Sequence, residues 1–521
     1  MTSRWKLRDD IAEDTQGFVA SGFGRLNDGV ALFLELPDTE GAQWLGALSK
    51  DFPVTTAAET SGPNLPQAVS VAFTYTGLEK MGLSQDALAS FSTPFREGMM
   101  QQDRLRRLGD KRKDQWLDTV KDGGPDWSGN VAPYLLKPEA EAYGARKKSS
   151  PVVNSTDKTV HVILLLYALN KDELAPRQEK LEATLKEHNV SIVHRLNLAL
   201  DAVKGEGFSR EHFGFADGIS QPIPYDEAGA VSLNGQTSIT GDSVHGVRLG
   251  EILLGHTNGH QEIAPGPVVS ETADGETAVL PDHANAQSFR DLGKNGSYLV
   301  VRQLYQNVAG FWQGMETAAR MLKSQDPKAT HVTPLWVAEK AVGRGKDGSM
   351  LTPSGRYPKG PDNKIKNDFL YFEEDQHGTG CPLGSHVRRA NPRDSLAPTD
   401  KMTQTLLDAA NNHRILRRAR KYGKTLENEK VDDGEDRGLL FMCLNTDIAR
   451  QFEFTQQTWL LNSDFSVLYK ETDPLVGPDG HMTIPEEPLR RRVQVQTFVK
   501  MVGGEYFFLP SISGLKYLSS L

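Results

Sequence analysis

Apolar residues cluster along this chain in short runs separated by charged, helically spaced stretches. The run Ala31-Leu32-Phe33-Leu34-Glu35-Leu36 lies between Gly29 and Pro37 and reads as a strand. Gly41 to Phe52 then carries Trp44, Leu45 and Leu48 at helical spacing, and Ala68 to Thr76 is a β-rich run that stops at Gly77. After a polar interval, Val160 to Tyr167 forms the most apolar stretch, the mark of a strand buried on both faces. A charged amphipathic helix over 171–188 and a strand over Val190 to Leu198 follow. Two split strand-helix-strand units predict a ferredoxin-like sandwich over residues 1 to about 210.

The same order returns further on. Glu251 to Gly255 and Gly296 to Leu304 read as strands, and Val308 to Lys323 as a helix carrying Phe311, Trp312, Met315 and Met321. A strand at Arg437 to Asn445, a helix at Ile448 to Leu460 and an apolar segment Tyr506 to Pro510 complete the series. The expected fold is therefore α+β: two ferredoxin-like α/β sandwich domains, each an antiparallel sheet with packed helices, over residues 1–212 and 213–521. No repeat is visible in the sequence itself, so the duplication rests on element order. Residues 99–157, with Arg104, Arg106, Arg107, Lys111, Arg112 and Lys113, read as a solvated insertion, and 343–380 as a long loop rich in Gly, Lys and Asp.

Composition narrows the function classes. A chain of 521 residues with a net charge of −9 does not suit nucleic acid or an anionic membrane surface. The N-terminus lacks an apolar export core, and the longest apolar run, Val162 to Ala168, is strand-sized, so a cytoplasmic protein without a membrane segment is expected. Cys381 and Cys443 form no CxxC or CxxCH, which removes a thiolate zinc site and a covalently attached haem. The spacings of His256 and His260, of Gly345-Lys346, and of Gly207 to Glu211 fail the patterns of a zinc protease, a phosphate-binding loop and a nucleophile elbow, respectively.

Three stretches carry candidate chemistry. In His212-Phe213-Gly214-Phe215-Ala216-Asp217-Gly218-Ile219-Ser220-Gln221-Pro222, an acid sits between glycines that allow a tight bend and close approach to a flat ligand. Phe213 and Phe215 are expected to desolvate Asp217 and a cation to counter them, tuning the carboxyl for proton transfer; an ordinary Asp-Gly turn is the plainer reading. In Cys381 to Arg393, His386 stands close to Arg388, Arg389 and Arg393, and imidazole with guanidinium suits an axial iron ligand beside a dianion such as the haem propionates. In His413 to Gly423, alternation places Ile415, Arg417 and Ala419 on one face and Leu416 and Arg418 on the other, so that Arg417 points inward toward an anion. A solvated basic strand is the alternative there.

Taken together, these stretches resemble the dye-decolorising peroxidase family. Its GFxDG hallmark stands as Gly214-Phe215-Ala216-Asp217-Gly218, and its GxHxRxxxPR segment as Gly384 to Arg393. Weaker likeness lies in Asp14 to Phe18, Ala72 to Leu78, Gly296 to Arg302 and Gly438 to Phe441, spanning nearly the whole chain. The resemblance implies a haem b peroxidase that reduces hydrogen peroxide and oxidises dyes, phenolic or other bulky electron donors. It makes His386 the proximal iron ligand, Asp217 the distal acid-base residue and Arg417 the arginine that stabilises bound peroxide. Arg393 becomes the partner of a haem propionate, and Leu439 and Phe441 line the distal pocket. One subfamily has Asn two positions after the distal arginine; Ala419 stands here, which argues against that placement. Trp459, Tyr422, Trp312 and Tyr305 are candidates to pass electrons from bulky donors. The alternatives are a haem-binding or iron-release protein without turnover and, more remotely, a scaffold or packaged cargo. A homo-oligomer is compatible with all of these. The hydrogen-bond partner of His386 is not readable from the sequence.

Overall fold

The computed structural model describes residues 7–38, 41–61, 65–113, 115–121, 124–129, 158–200, 208–225, 244–360 and 364–521. In the first half, strand β1 (Asp28–Glu35), helix α1 (Gln43–Asp51), β2 (Gln67–Phe73), β3 (Val162–Ala168), α2 (Lys171–Glu187) and β4 (Ser191–Ala199) follow one another. The strands pair antiparallel in the spatial order β2-β3-β1-β4. In the second half come β5 (Ser297–Gln306), α3 (Val308–Gln325), α4 (His386–Ala390), β6 (Leu416–Arg417), β7 (Arg420–Tyr422), β8 (Gly438–Asn445) and β9 (Val499–Leu509). With β6 and β7 as one interrupted strand, the order is again second-third-first-fourth: β6/β7, β8, β5, β9. Each half thus has the ferredoxin-like sheet that its element order predicts.

The sheets join edge to edge. Phe73 of β2 pairs with Phe508 of β9, while Ala199 and Leu198 of β4 pair with Lys421 and Tyr422 of β7. All nine strands therefore form one sheet, and the β5–β8 pairing closes it into a barrel. Closure removes the strand edges that two separate sheets would expose. Phe33, Ile163, Leu165, Leu299, Val301, Leu440, Met442 and Phe507 fill the interior. On the outside of the first half, Val30, Leu32, Leu164 and Leu166 meet Trp44, Leu45 and Leu48 of α1 and Leu181 and Leu185 of α2. Full burial of Leu45 and Leu48 contributes about 1.5–3 kcal/mol each. The helix starts are locally encoded: the Asn170 side chain accepts the Glu173 N–H at α2, and the Asn307 side chain accepts the Gly310 N–H at α3.

Several expectations need correction. The run Ala68 to Thr76 is strand only to Phe73; the Thr74 hydroxyl then accepts the Gly77 N–H and starts a helix over Tyr75–Lys80. Glu251 to Gly255 is not a strand but a tight turn after Leu249–Glu251, with the Leu253 N–H bonded to the Leu249 carbonyl and Gly255 at φ 76°. The 99–157 interval is solvated at Arg106, Arg107, Arg112 and Lys113, but Arg104 and Lys111 are buried. Arg104 sits 2.7 Å and 2.8 Å from the two oxygens of Glu453, a pair that anchors the insertion to a π-helical stretch (Ala449–Glu453, Thr455–Leu460). Residues 130–157 of that interval lie outside the described residues. The 343–380 excursion packs a small core of its own from Met350, Leu351, Phe369 and Tyr371 against Cys381.

Candidate active site around Asp217, Arg417 and His386

Asp217 lies at the end of a short hairpin in which Ser209 pairs with Asp217 and Arg210 with Ala216. Gly214 at φ 90° and Gly218 at φ 77° occupy backbone conformations open to glycine, and a Cβ on Gly214 would lie 2.7 Å from Cε of Lys346. The Asp217 Oδ1 accepts the Gly218 N–H at 2.6 Å and faces Nη1 of Arg417 at 3.7 Å. Phe213 stacks on Phe311 at 4.3 Å and Phe215 lies parallel to Trp312 at 6.4 Å, so both rings anchor the turn to α3. Asp217 itself keeps 30% of its side chain exposed, which leaves it open to a small ligand.

Arg417 is held by the segment that follows the glycine turn. Its backbone N–H donates to Oε1 of Gln221, the Gln221 amide donates back to its carbonyl, and its Nη2 donates to the Ser220 carbonyl at 3.1 Å. Gln221 thus acts as a short stretch of strand pairing, a role with no sequence signal beyond its place in the motif. Leu416 enters the barrel while Ile415 packs on the outer face, and Arg418 turns away to bond the carbonyls of Phe18 and Val19. The expected alternation therefore holds from 415 to 418. Arg417 pairs with Cys443, and residues directly opposite on antiparallel strands share a face. Phe441 and Leu439, two and four positions before Cys443, share that face and are partly exposed on it. Asp217 and Leu439 line one cleft.

His386 opens α4. Its Nδ1 lies 2.9 Å from Oδ2 of Asp473, a carboxylate with no exposed side-chain surface. Oδ1 of Asp473 accepts the N–H groups of Leu475 and Val476, each at 2.9 Å. Burial pushes the Asp473 carboxyl up, but the imidazole beside it and these N–H groups outweigh burial and hold it below its ordinary range. Burial likewise pulls His386 down, yet the charge and hydrogen bond of Asp473 leave it raised. Arg417 and Asp217 also lie within electrostatic reach of the imidazole, one opposing its charge and one favouring it. An ionised Asp473 makes Nδ1 the donor and leaves Nε2 as the lone-pair nitrogen, with no hydrogen-bond partner among the described residues.

The flanking arginines divide. Arg388 bonds the carbonyls of Asp375 and Cys381, and Arg389 those of Gly384, Trp459, Asn462 and Glu471, so both stitch α4 to its surroundings instead of meeting a dianion. Arg393 lies 3.8 Å over the Phe369 ring, bonded to the carbonyls of Asn367 and Phe369. Burial, together with the charges of Arg393, Arg414 and Arg344, pulls His245 down to about 2. Such positive potential suits an acidic ligand. A lone-pair imidazole nitrogen, an apolar sheet face with one arginine, and this cationic region fit haem, with its iron, flat ring and two carboxylates.

Trp459, Tyr422 and Trp312 are buried packing residues, whereas Tyr305 is partly exposed beside Lys121 Nζ, 4.8 Å from its ring.

No protein-family model matches the sequence. The multifunctional dye peroxidase DyP2 of Amycolatopsis sp. is 29% identical over 388 residues, covering 69% of this chain and 72% of that protein. Dye-decolorizing peroxidase msp1 of Mycetinis scorodonius is 26% identical over 479 residues, 87% of this chain and 77% of its own. Among solved structures, a DyP-type peroxidase of Anabaena sp. superposes with a TM-score of 0.68 at 25% identity, over 98% of this chain and 95% of that one. Likeness to dye-decolorising peroxidases thus runs through both halves of the barrel, at the level of sequence and of coordinates.

Proposed function

We propose that this protein is a haem peroxidase, which reduces hydrogen peroxide and oxidises dyes, phenolic compounds or other bulky donors, with haem b held through Nε2 of His386 and with Arg393 toward a propionate. The observation that carries this reading is the pairing of Asp217 with Arg417 at 3.7 Å, within electrostatic reach of an imidazole fixed by Asp473. Haem, when bound, supplies the iron that takes up the oxidising equivalents of peroxide. Asp217 takes the proton from the nearer peroxide oxygen and returns it to the farther one, which leaves as water. Arg417, fixed by Ser220 and Gln221, offsets the negative charge that develops as the O–O bond opens. Leu439 and Phe441 cover the same face with apolar surface and limit how much water competes there.

A protein that only stores haem has no use for a partly exposed carboxylate paired with an arginine, so the pair favours turnover over storage. Among the described residues no helix is long and apolar enough to cross a membrane. Two buried, unpaired cysteines support a reducing, cytoplasmic location. Residues 1–212 and 213–521 are proposed as two folding units joined at the barrel seams, and the oligomeric state is open to measurement.

The test is an absorption spectrum of haem-loaded protein and a steady-state assay with hydrogen peroxide and a dye. The expected result is a Soret band with dye oxidation in the wild type, and loss of that band in His386→Ala. A wild type that carries haem but does not turn over would assign the protein to haem handling instead.

A further inference from the structure

Glu211, six positions before Asp217, is one residue that the reaction above does not use. Its carboxylate receives three donors: the Phe213 N–H at 2.8 Å, the Phe215 N–H at 2.9 Å and the Gln306 side-chain amide at 2.7 Å. Its backbone closes the same turn, donating to the Phe215 carbonyl and accepting from the Gly214 N–H. No salt bridge to Glu211 occurs among the described residues, so the three hydrogen bonds are what hold the carboxylate. Burial raises its pKa, the bonded N–H groups oppose that, and the Asp217 charge raises it further, which places the two acids within electrostatic reach.

Besides the packing of the Phe213 and Phe215 rings on α3, the backbone of the turn is tied at few other points. Gly214 is at positive φ, and the hairpin pairs only Ser209–Arg210 with Ala216–Asp217. Arg210 bonds the carbonyls of Gly214 and Lys346 on the outer side. Gln306 ends β5, the strand whose other edges are β8 and β9, so its bond to Glu211 ties the turn to the barrel wall. A carboxylate accepts on both oxygens at once, which is what two successive odd-numbered N–H groups and an amide require.

We propose that Glu211 is a positioning residue for peroxide reduction, fixing through the Phe213 and Phe215 N–H groups the turn that aims Asp217 at Arg417. This rests on the peroxidase reading given above. Glutamine at this position would keep one accepting oxygen and set an NH2 against a backbone N–H, which leaves a donor unpaired. The turn would then relax and Asp217 would lose its aim. Misplacement on the order of 1 Å costs roughly 100-fold in a proton-transfer step.

The experiment compares full-length, haem-loaded wild type, Glu211→Gln, Gln306→Leu and Asp217→Asn. The expected result for Glu211→Gln is a fall of about 10- to 100-fold in kcat/KM for hydrogen peroxide, with kcat/KM for the dye and the Soret band unchanged. Gln306→Leu, which keeps both backbone bonds, shows a smaller fall of the same kind. A purely structural residue would lower the thermal midpoint without splitting the two constants, and that result overturns the proposal. So does a Glu211→Gln peroxide constant within twofold of wild type. If Glu211→Gln fails to fold, Gln306→Leu carries the test, and an unchanged peroxide constant there overturns the proposal. Asp217→Asn separates the two readings: if it is slow while Glu211→Gln is not, only the positioning role fails. If Asp217→Asn matches wild type, the acid-base role fails, and this inference with it.

Discussion

What His386 can do is decided by Asp473. An imidazole that donates Nδ1–H to a buried carboxylate has its ring orientation and tautomer fixed and its Nε2 made more basic, and each of these strengthens a bond to iron. Asp473→Leu is therefore expected to weaken haem retention by roughly 10- to 100-fold, read as faster loss of the Soret band to a competing haem acceptor. Retention equal to wild type would show that the pair does not support ligation. The candidates Asp217, Arg417 and His386 were legible because glycines, prolines and clustered charges frame each of them in a short stretch. Asp473 was not: it lies 87 residues beyond His386, and its only local sign is the Pro474 that follows. Likewise Arg388 and Arg389 looked like ligands for a dianion, because sequence shows the density of charge but not the backbone carbonyls that absorb it. The contacts of the Phe213 and Phe215 rings with Phe311 and Trp312 are hidden from sequence for the same reason, since they depend on where α3 packs.

Among elements, apolar runs of strand length form strands where a charged helix follows, as with β3 and α2. Glu251 to Gly255 differs because its three apolar residues, Ile252 to Leu254, are equally consistent with a buried turn, and Gly250 and Gly255 allow the chain to fold back. One junction between elements carries a pH dependence. Nδ1 of His161 accepts the Leu36 N–H at 2.9 Å, and the His161 carbonyl accepts the Thr74 N–H, so this residue ties the ends of β1 and β2 to the start of β3. Burial, and then the Lys80 charge, pull its pKa down to about 4. With an unfolded value near 6.5, the unfolded chain binds more protons between the two values, so stability is complete above about 6.5 and is lost as pH falls through about 4. The loss from this residue is about 3 kcal/mol. Denaturant titrations at pH 7.5 and 4.5 should show a smaller acid loss in His161→Gln than in wild type; equal losses in the two would contradict the assignment.

At the scale of the molecule, the duplicated order of strands was legible but the closed barrel was not. Its seams rest on Phe73 with Phe508 at one edge and on Ala199 and Leu198 with Lys421 and Tyr422 at the other, pairings too short and too far apart in sequence to leave a pattern. Closure matters for function, because β7 at one seam continues from the strand that bears Arg417, while the Asp217 hairpin comes after β4, its partner across that seam, in chain order. The acid and the guanidinium thus both belong to residues 213–521 and meet beside the seam with β4, at 3.7 Å. The account stands on that meeting, and stopped-flow mixing of haem-loaded protein with hydrogen peroxide tests it most directly. It predicts that Asp217→Asn, with an unchanged Soret band, forms the oxidised intermediate at least about 100-fold more slowly than wild type. Equal rates in the two proteins would contradict it.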